Sequence, residues 1–249
     1  MYQIHEADSR DMHAIDDDAV DLVVTSPPYN LNVEYDTHDD ALPSGDYADL
    51  LRDVFAECYR VLRPDGRMCV NVGIGAGHPV DDKPAIVKRI ATEDVGFRLR
   101  DKRVWDKGDS EQSSAWGSWR SASNPRTIFN HEEILTFYPE RPGRDDTKAK
   151  TLTKPEFMRY VKSVWSIKPE RGKPDHPAPF PREVPSRLIK LYSYEGDTVL
   201  DPFAGTGTTI EAALDLDRHG IGYEVSPDYA SLARKNAEAI DAQTSVVDF

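Results

Sequence analysis

The stretch DTVLDPFAGTGTTIEAALDL, residues 197–216, contains a short apolar strand, a turn rich in glycine and an amphipathic helix. Gly205 and Gly207 allow a tight turn between strand and helix, and they let a ligand approach the backbone closely. Ligands of open α/β sheets bind beyond the carboxyl ends of the strands. The stretch therefore predicts an α/β fold and also the place where a ligand binds.

Strand and helix patterns alternate along the rest of the chain. The buried-strand pattern VDLVV (20–24) is followed by a helix at 46–62, and after RPDG breaks that helix, 67–73 forms the next strand. The further elements are a helix at 87–93, strands at 97–105 and 132–138, a helix at 182–193, a strand at 218–225, and a helix from Pro227, capped by Ser226, to about Ala242. This alternation predicts a doubly wound sheet, with loops or an inserted lobe at 106–128 and 139–181.

Length and composition indicate one large globular domain, or one domain carrying an insertion. The chain has 249 residues, of which 39% are hydrophobic. Its two cysteines, Cys58 and Cys69, fit neither a disulfide framework nor a zinc site, so we expect a cytoplasmic, metal-free protein. The first residues lack the apolar core of a signal peptide, and no apolar run approaches 18 residues, so neither secretion nor membrane spanning is expected.

The charge is unevenly distributed. The net charge is −13, yet the segment from Arg141 to Lys173 carries ten Lys or Arg against four acids. That basic segment has a net charge of +6, which leaves −19 on the remainder. It is either a solvated loop or a contact surface for phosphate. An acidic body with one basic segment also fits a protein from a halophile.

Glu224 and the residues of the glycine turn indicate which kind of nucleotide binds there. It follows Gly205 by 19 residues, at the end of the next strand, where an acid accepts hydrogen bonds from a ribose. Ile210 replaces the third glycine of a dinucleotide fingerprint, and the turn lacks the lysine of a P-loop. A nucleoside without phosphates fits better, which points to S-adenosylmethionine, although a structural turn with a solvated Glu224 stays open. The expected cofactor-binding residues here are Asp201, Pro202, Phe203, Gly205, Gly207, Thr208 and Glu224.

A second motif, TSPPYN at 25–30, follows the strand at 20–24. Proline fixes φ and lacks an N–H, so Pro27 and Pro28 present carbonyl oxygens without a competing donor. Hydrogen bonds from an exocyclic amine to the Ser26 hydroxyl and the Pro27 carbonyl would draw the lone pair of a base toward its nitrogen, which favours attack on a sulfonium methyl. Tyr29 would stack on the extruded base. Taken alone, the same residues could form an ordinary turn.

In this order, the two motifs resemble the amino-methyltransferases of DNA in the circularly permuted β class, where a (D/N/S)PPY loop precedes DPFxGxGTT. The resemblance implies a Rossmann-like methyltransferase sheet that binds S-adenosylmethionine and acts on double-stranded DNA. It also implies a division into a catalytic half at 1–138, a target-recognition insertion at 139–175 and a cofactor half at 176–249.

The resemblance adds further site residues. The segment HPAPFPREVPSRLIKLYS (176–193) is similar to the segment that closes over the methionine end of the cofactor, which implies roles for His176, Ala178 and Phe180. Asp8 matches the acid near the adenine amino group, or it caps a helix. Residues of 115–138 would contact or stack on DNA, although its tryptophans could equally pack in the core, and the basic segment takes the place of the recognition region. The expected DNA-binding residues are Trp116, Trp119, Arg120, Arg126, Lys148, Lys150, Lys154 and Lys162.

The first residue of the SPPY tetrapeptide (26–29) indicates which base nitrogen is methylated. Members of the resembled family that act on cytosine N4 mostly carry serine there and those that act on adenine N6 mostly carry aspartate, so Ser26 favours cytosine N4. Adenine N6 is the alternative. A nicotinamide dehydrogenase, an RNA or protein-glutamine methyltransferase and a non-catalytic DNA-binding regulator are the rival interpretations. The small recognition lobe suits a short site read by a homodimer, and a cognate restriction endonuclease is a further expected partner.

Overall fold

The computed structural model describes residues 1–28, 34–35, 38–39, 44–75, 80–108, 117–146, 148–169 and 181–247. The strands are β1 (Tyr2–Glu6), β2 (Val20–Thr25), β3 (Glu34–Tyr35), β4 (His38–Asp39), β5 (Leu62–Gly73), β6 (Arg98–Asp106), β7 (His131–Tyr138), β8 (Val164–Ser166), β9 (Thr198–Asp201) and β10 (His219–Glu224). The helices are α1 (Ser44–Val61), α2 (Lys83–Arg89), α3 (Lys154–Tyr160), α4 (Glu183–Tyr192), α5 (Thr208–Leu214) and α6 (Pro227–Val247), and a π-helical segment covers Ile90–Val95.

Eight strands form one sheet in the order β1-β10-β9-β2-β5-β7-β6-β8, and β3 pairs with β4 in a separate ribbon. The strands from β1 to β5 in this order are parallel, whereas β7 is antiparallel to both β5 and β6. The carboxyl ends of β10, β9, β2 and β5 therefore meet at one edge of the sheet, which we call the carboxyl edge. Ligand sites are expected at this edge in a sheet of this kind.

Helices cover both faces of the sheet, as the alternating pattern predicts. On one face α1 and α2 bury Leu51, Phe55 and Val87 against Val23 and other strand residues, which forms the first core. On the other face, α4 and α5 pack against alternate residues of the same strands, which forms the second core. Strand residues at i and i+2 share a face, so membership of a core shows which way each strand side chain points.

The predicted elements are present, with several boundary corrections. The helix predicted at 87–93 begins at Lys83, and its second half, Ile90–Val95, is π-helical. RPDG (63–66) is predicted to separate the helix at 46–62 from the next strand. In the structure α1 ends at Val61 and β5 begins at Leu62, so RPDG belongs to the strand. The last helix continues beyond Ala242 to Val247. Part of the stretch expected to be loop or lobe also contributes to the main sheet, because β8 pairs with β6 in parallel.

An ion-pair network around two buried aspartates joins the basic segment to the opposite, amino edge of the sheet. Asp197, directly before β9, has a fully buried side chain, and its Oδ1 accepts from Lys148 Nζ at 2.6 Å. Arg144 bonds to Asp197 Oδ2 at 2.5 Å and to Asp21 Oδ1 at 3.1 Å. Asp21 Oδ2 in turn accepts the Thr198 N–H at 2.9 Å. These contacts fasten the start of the basic segment to the amino ends of β2 and β9.

Candidate functional site

The glycine turn follows β9 at the carboxyl edge. Gly205 and Gly207 have φ of 52° and 90°, in the left-handed region that favours glycine. A Cβ on Gly207 would lie 3.1 Å from Ala233, so the turn also packs tightly against α6. A Cβ on Gly205 would meet no atom within 4 Å, so the absent side chain leaves open space beside the backbone. Such a space is what a ligand lying close to the turn requires.

Glu224 lies at the end of β10 and is joined to the glycine turn. Its Oε2 accepts the Gly205 N–H at 2.8 Å, and its Oε1 accepts the Ser226 N–H at 2.8 Å. A carboxylate has about four lone-pair sites, so two N–H groups leave acceptor capacity for the hydroxyls of a ribose. The structure thus brings together the turn and the acid that the spacing of 19 residues predicts.

Packing of α5 explains why Ile210 can occupy the place of a third glycine. The close approach of helix and strand is made by glycines on β10 instead. A Cβ on Gly220 would lie 2.7 Å from Ile210 Cγ2, and one on Gly222 would lie 2.9 Å from Ala204 Cβ. The small residues needed for helix packing are therefore on the strand, and α5 carries the large one.

Asp8 follows β1, whose last residue Glu6 is the register partner of Glu224. The two acids therefore belong to adjacent strand ends at the carboxyl edge. The Asp8 carboxylate is half-exposed and accepts from Arg10 Nε at 2.9 Å and Arg10 Nη2 at 2.6 Å. Asp8 therefore lies near the carboxyl edge, and its contact with the adenine of the cofactor stays a prediction.

Asp201 connects the two motifs. This residue ends β9, and its Oδ1 accepts the Thr25 hydroxyl at 2.7 Å and the Phe203 N–H at 3.0 Å. Burial raises the pKa of Asp201 to about 6, and the bonds from Thr25 and Phe203 oppose that rise. Thr25 immediately precedes Ser26, so the carboxylate that orders the glycine turn also holds the start of the proline loop.

Ser26, Pro27 and Pro28 continue from the end of β2, between β9 and β5. Pro27 is buried, and Ser26 and Pro28 are half-buried. The sheet order therefore places the proline loop beside the glycine turn, although 176 residues separate Thr25 from Asp201 in the chain. Thr25 was not among the predicted site residues, because the sequence alone does not show which strand lies beside β2.

Several predicted residues lie outside the described part of the chain. These are Tyr29, Trp116, His176, Ala178 and Phe180. Their roles stay predictions.

A compact loop carries two of the predicted DNA-binding residues. Gly117 and Pro125 form a bridge at its base, and Ser118 closes it, since its N–H donates to Asn124 O at 2.9 Å while its hydroxyl accepts from Asn124 N at 2.8 Å. At its tip Trp119 is 70% exposed and Arg120 has φ of 52°. We call residues 117–125 the Trp119 loop. Trp119 is therefore not a core residue, which removes the core-packing alternative for this tryptophan.

The remaining basic residues separate into two groups. Arg126, Lys150, Lys154 and Lys162 are exposed. Lys148 is exposed as well, but its Nζ is bound to Asp197 at the amino edge, the opposite edge of the sheet from Ser26. Contact of Lys148 with DNA at the carboxyl edge would compete with this ion pair, so the structure gives Lys148 an alternative, structural role.

The described residues contain neither a metal-binding cluster nor a membrane-spanning helix. No group of three or more His, Cys, Asp or Glu residues among them could hold a metal ion. No helix within the described ranges has the length and apolar character needed to cross a membrane. Both cysteines are buried and free.

Comparisons with known proteins agree on one family. The N6/N4 methyltransferase model, described as DNA methylase, matches residues 20–235. M.MjaI, a Type II methyltransferase of Methanocaldococcus jannaschii, is 33% identical, and the alignment covers 90% of this chain and 87% of M.MjaI.

Solved structures show the same fold. TTHA0409 of Thermus thermophilus, in complex with S-adenosyl-L-methionine, has a TM-score of 0.78 and 29% identity over 96% of this chain and 94% of its own. The cytosine-N4-specific PvuII DNA methyltransferase has a TM-score of 0.73 and 20% identity, covering 96% of this chain and 91% of its own, a likeness of fold alone.

Proposed function

This chain belongs to the DNA methylase family of N6/N4 methyltransferases, and from that premise we propose that it methylates the N4 amino group of a cytosine extruded from duplex DNA. The family establishes an S-adenosylmethionine-dependent DNA methyltransferase. The choice of cytosine rests on Ser26, which stands where adenine enzymes of the resembled class mostly carry aspartate. Adenine N6 is the alternative product.

The residues present fit S-adenosylmethionine. Glu224 keeps acceptor capacity for ribose hydroxyls, and Gly205 leaves open space beside the turn. Asp8 would lie near the adenine, and the segment at 176–180 would close over the methionine end. When bound, the cofactor supplies an electrophilic methyl group on a sulfonium.

The protein's own contribution is to position the base and to change the electron distribution of its amine. In this proposal the Ser26 hydroxyl and the Pro27 carbonyl accept the two amine N–H groups, so the nitrogen lone pair is less delocalised into the ring. Tyr29 stacks on the extruded base. The single observation that carries the proposal is the Thr25–Asp201 hydrogen bond, because it holds the proline loop and the glycine turn side by side.

The DNA surface proposed here combines the Trp119 loop with the exposed lysines of the basic segment. Trp119 and Arg120 project from a loop that internal hydrogen bonds hold closed, which suits insertion of an aromatic ring between bases. A homodimer on a palindromic site, a cognate endonuclease, a halophilic source and a cytoplasmic location are further proposals that rest on the sequence arguments.

The variant Ser26→Ala tests the catalytic assignment. We expect the rate of tritiated-methyl transfer to duplex DNA to fall at least about a hundredfold, since an acceptor that acts in the transition state is lost. Binding of S-adenosylmethionine, measured by calorimetry, should change little. Tyr29→Ala should behave in the same way. Full activity of Ser26→Ala would contradict the assignment.

Sequencing with modification detection, on DNA from a host that expresses this chain, identifies the base, the atom and the recognition sequence together. N4-methylcytosine is the expected product, and N6-methyladenine would select the alternative. Parallel assays on RNA and protein distinguish the rival methyltransferase classes.

A further inference from the structure

The Trp119 loop leaves the sheet at the edge where the proline loop lies. β6 ends and β7 begins at the carboxyl edge, because β7 is antiparallel to both β5 and β6. The pairing continues past the strand ends, where the Lys107 N–H donates to Asn130 O at 2.9 Å. In the sheet order β7 is two strands and β6 three strands from β2, or roughly 10 and 14 Å. These distances are close to the width of a major groove, about 12 Å, so one duplex along this edge can contact both loops.

Contacts inside the Trp119 loop fix its shape. Gly117 has φ of 69°, and a Cβ there would collide with Asn124 O, so the two ends of the loop approach more closely than another residue would allow. The Ser118 hydroxyl donates to Ser121 O at 2.8 Å, and the Ser121 hydroxyl donates to Ser123 Oγ at 3.0 Å. A loop that is ordered beforehand loses little conformational entropy on binding. The Trp119 loop therefore holds its tip in one position.

The tip of the loop carries an exposed aromatic ring on strained backbone. Trp119 is 70% exposed, so most of its surface stays in water and the ring adds little to the core. The next residue, Arg120, is exposed and has φ of 52°, a left-handed conformation that costs free energy at a residue other than glycine. Backbone strain of this kind is concentrated at positions that bind ligands. Both features favour a function of the tip in binding over a function in folding.

Extrusion of a base creates a requirement that such a ring meets. The duplex loses the stacking of the target base on its two neighbours, and the partner base is left unpaired. An aromatic side chain stacks on any base, because every base has a π-face, and the gain is about 5-fold to 150-fold in the equilibrium constant per base. A ring that enters the gap therefore offsets part of the cost of extrusion, whatever the recognition sequence is.

We propose that Trp119 enters the gap left by the extruded base and stacks between the neighbouring base pairs, while the proline loop holds the base itself. Trp119 is a positioning residue in this role, because it contacts the duplex and not the reacting atoms. Arg120 and Arg126, which are exposed in the loop and directly after it, contact the phosphates that flank the gap. The inference rests on the proposed function, because a gap exists only if a base is extruded, and it holds for cytosine and adenine alike.

A DNA substrate whose gap is already filled tests the role of Trp119. Two duplexes carry the recognition sequence found by modification sequencing, one of them natural and the other with a pyrene nucleotide opposite the target base. Pyrene is a flat aromatic about as large as a base pair, so it fills the gap and leaves no space for a second ring. On the natural duplex, Trp119→Ala should lower kcat/KM for methyl transfer by about 5-fold to 150-fold. On the pyrene duplex, the variant and the wild type should differ by at most about twofold.

Arg126→Met is the matched control. Both duplexes keep their phosphates, so this variant should lose the same factor on each of them. Trp119→Phe keeps an aromatic ring, and its rate on the natural duplex should lie between those of the wild type and Trp119→Ala. Calorimetry with S-adenosylmethionine checks the folding of every variant, and affinities equal to that of the wild type are expected.

A binding measurement gives a second result that does not depend on methyl transfer. In a duplex with an abasic residue at the target position, the gap is open and there is no base to extrude. Trp119→Ala should bind this duplex about 5-fold to 150-fold more weakly than the wild type in anisotropy titrations. With pyrene opposite the abasic residue, the two affinities should agree within about twofold.

The possible outcomes separate the two proposals. The role of Trp119 in the gap is wrong if Trp119→Ala keeps the wild-type rate on the natural duplex. It is also wrong if this variant loses the same factor on both duplexes, because Trp119 would then contact DNA outside the gap. Absence of methyl transfer by the wild type to any duplex would instead refute the proposed function.

Discussion

Replacing Asp201 by asparagine should make the protein more stable and a weaker cofactor binder. The carboxyl group is buried, and burial raises its pKa from 3.8 to about 6. The folded state therefore keeps this proton at pH values where the unfolded chain has lost it. Asparagine has no charge to bury, and its Oδ1 can still accept from Thr25 and from the Phe203 N–H.

The sign and size of the effect follow from linkage. Between about pH 4 and pH 6 the folded state binds one more proton than the unfolded state at this residue, so the contribution of Asp201 to the free energy of unfolding falls by about 1.4 kcal/mol per pH unit. The contribution of Asp201 is complete below pH 3.8 and is lost as pH rises through about 6. Above pH 6, Asp201→Asn should be more stable than the wild type by up to about 3 kcal/mol, or about 6 to 12 °C in Tm.

Urea unfolding at pH 4, 5, 6 and 7 measures the effect as a difference between two proteins, in which the other carboxylates cancel. The stability difference between Asp201→Asn and the wild type should grow from pH 4 to about pH 6 and level off toward pH 7. Asp53→Asn, at an exposed position of α1, is the control for replacing a carboxylate by an amide at the surface. A gain that is independent of pH, or a variant less stable than the wild type at pH 7, would refute the argument. Calorimetry on the same variant should show weaker binding of S-adenosylmethionine.

Two further predictions concern packing and charge. Gly220→Ala would place a methyl group 2.7 Å from Ile210 Cγ2 and should lower the free energy of unfolding by about 1 to 3 kcal/mol, whereas Gly143→Ala, where a Cβ meets open space, should be nearly neutral in the same urea titration. Charge reversal of the exposed lysines in the basic segment, Lys150, Lys154 and Lys162, should weaken DNA binding and reduce its salt dependence in anisotropy titrations. Unchanged binding would contradict the role of these lysines in DNA contact. Arg144→Met should instead lower the free energy of unfolding by about 3 kcal/mol, because it leaves Asp21 and Asp197 partly unpaired. The salt dependence of DNA binding should stay unchanged in this variant.

Much of the fold could be predicted because its elements carry strong local patterns. The apolar run at 20–24 indicates a strand, and the apolar periodicity at 46–62 indicates a helix, without information from the rest of the chain. The glycine turn shows where β9 ends. The pattern did not reveal β1, since YQIHE has polar residues at the edge of the sheet. It also missed α3, although Thr153 and Glu156 form a capping box that the sequence TKPE, a T-x-x-E pattern with a proline inside it, could have indicated.

Only those contacts of the candidate site that lie within one continuous motif could be predicted from the sequence. The Gly205–Glu224 contact follows from one strand–turn–helix–strand unit, so spacing was sufficient. The Thr25–Asp201 bond depends on which strands are neighbours, and sequence spacing contains no such information. The circular permutation implied by the resemblance stays a prediction.

The position of β2 in the sheet has a consequence for synthesis. β2 lies between β5 and β9, and β9 is translated about 175 residues after it. While the ribosome makes the intervening chain, one side of this apolar strand has no hydrogen-bonding partner, a condition that promotes aggregation of nascent chains. Slow translation or a chaperone during that interval would therefore affect the yield of this protein more than that of a sheet assembled in chain order.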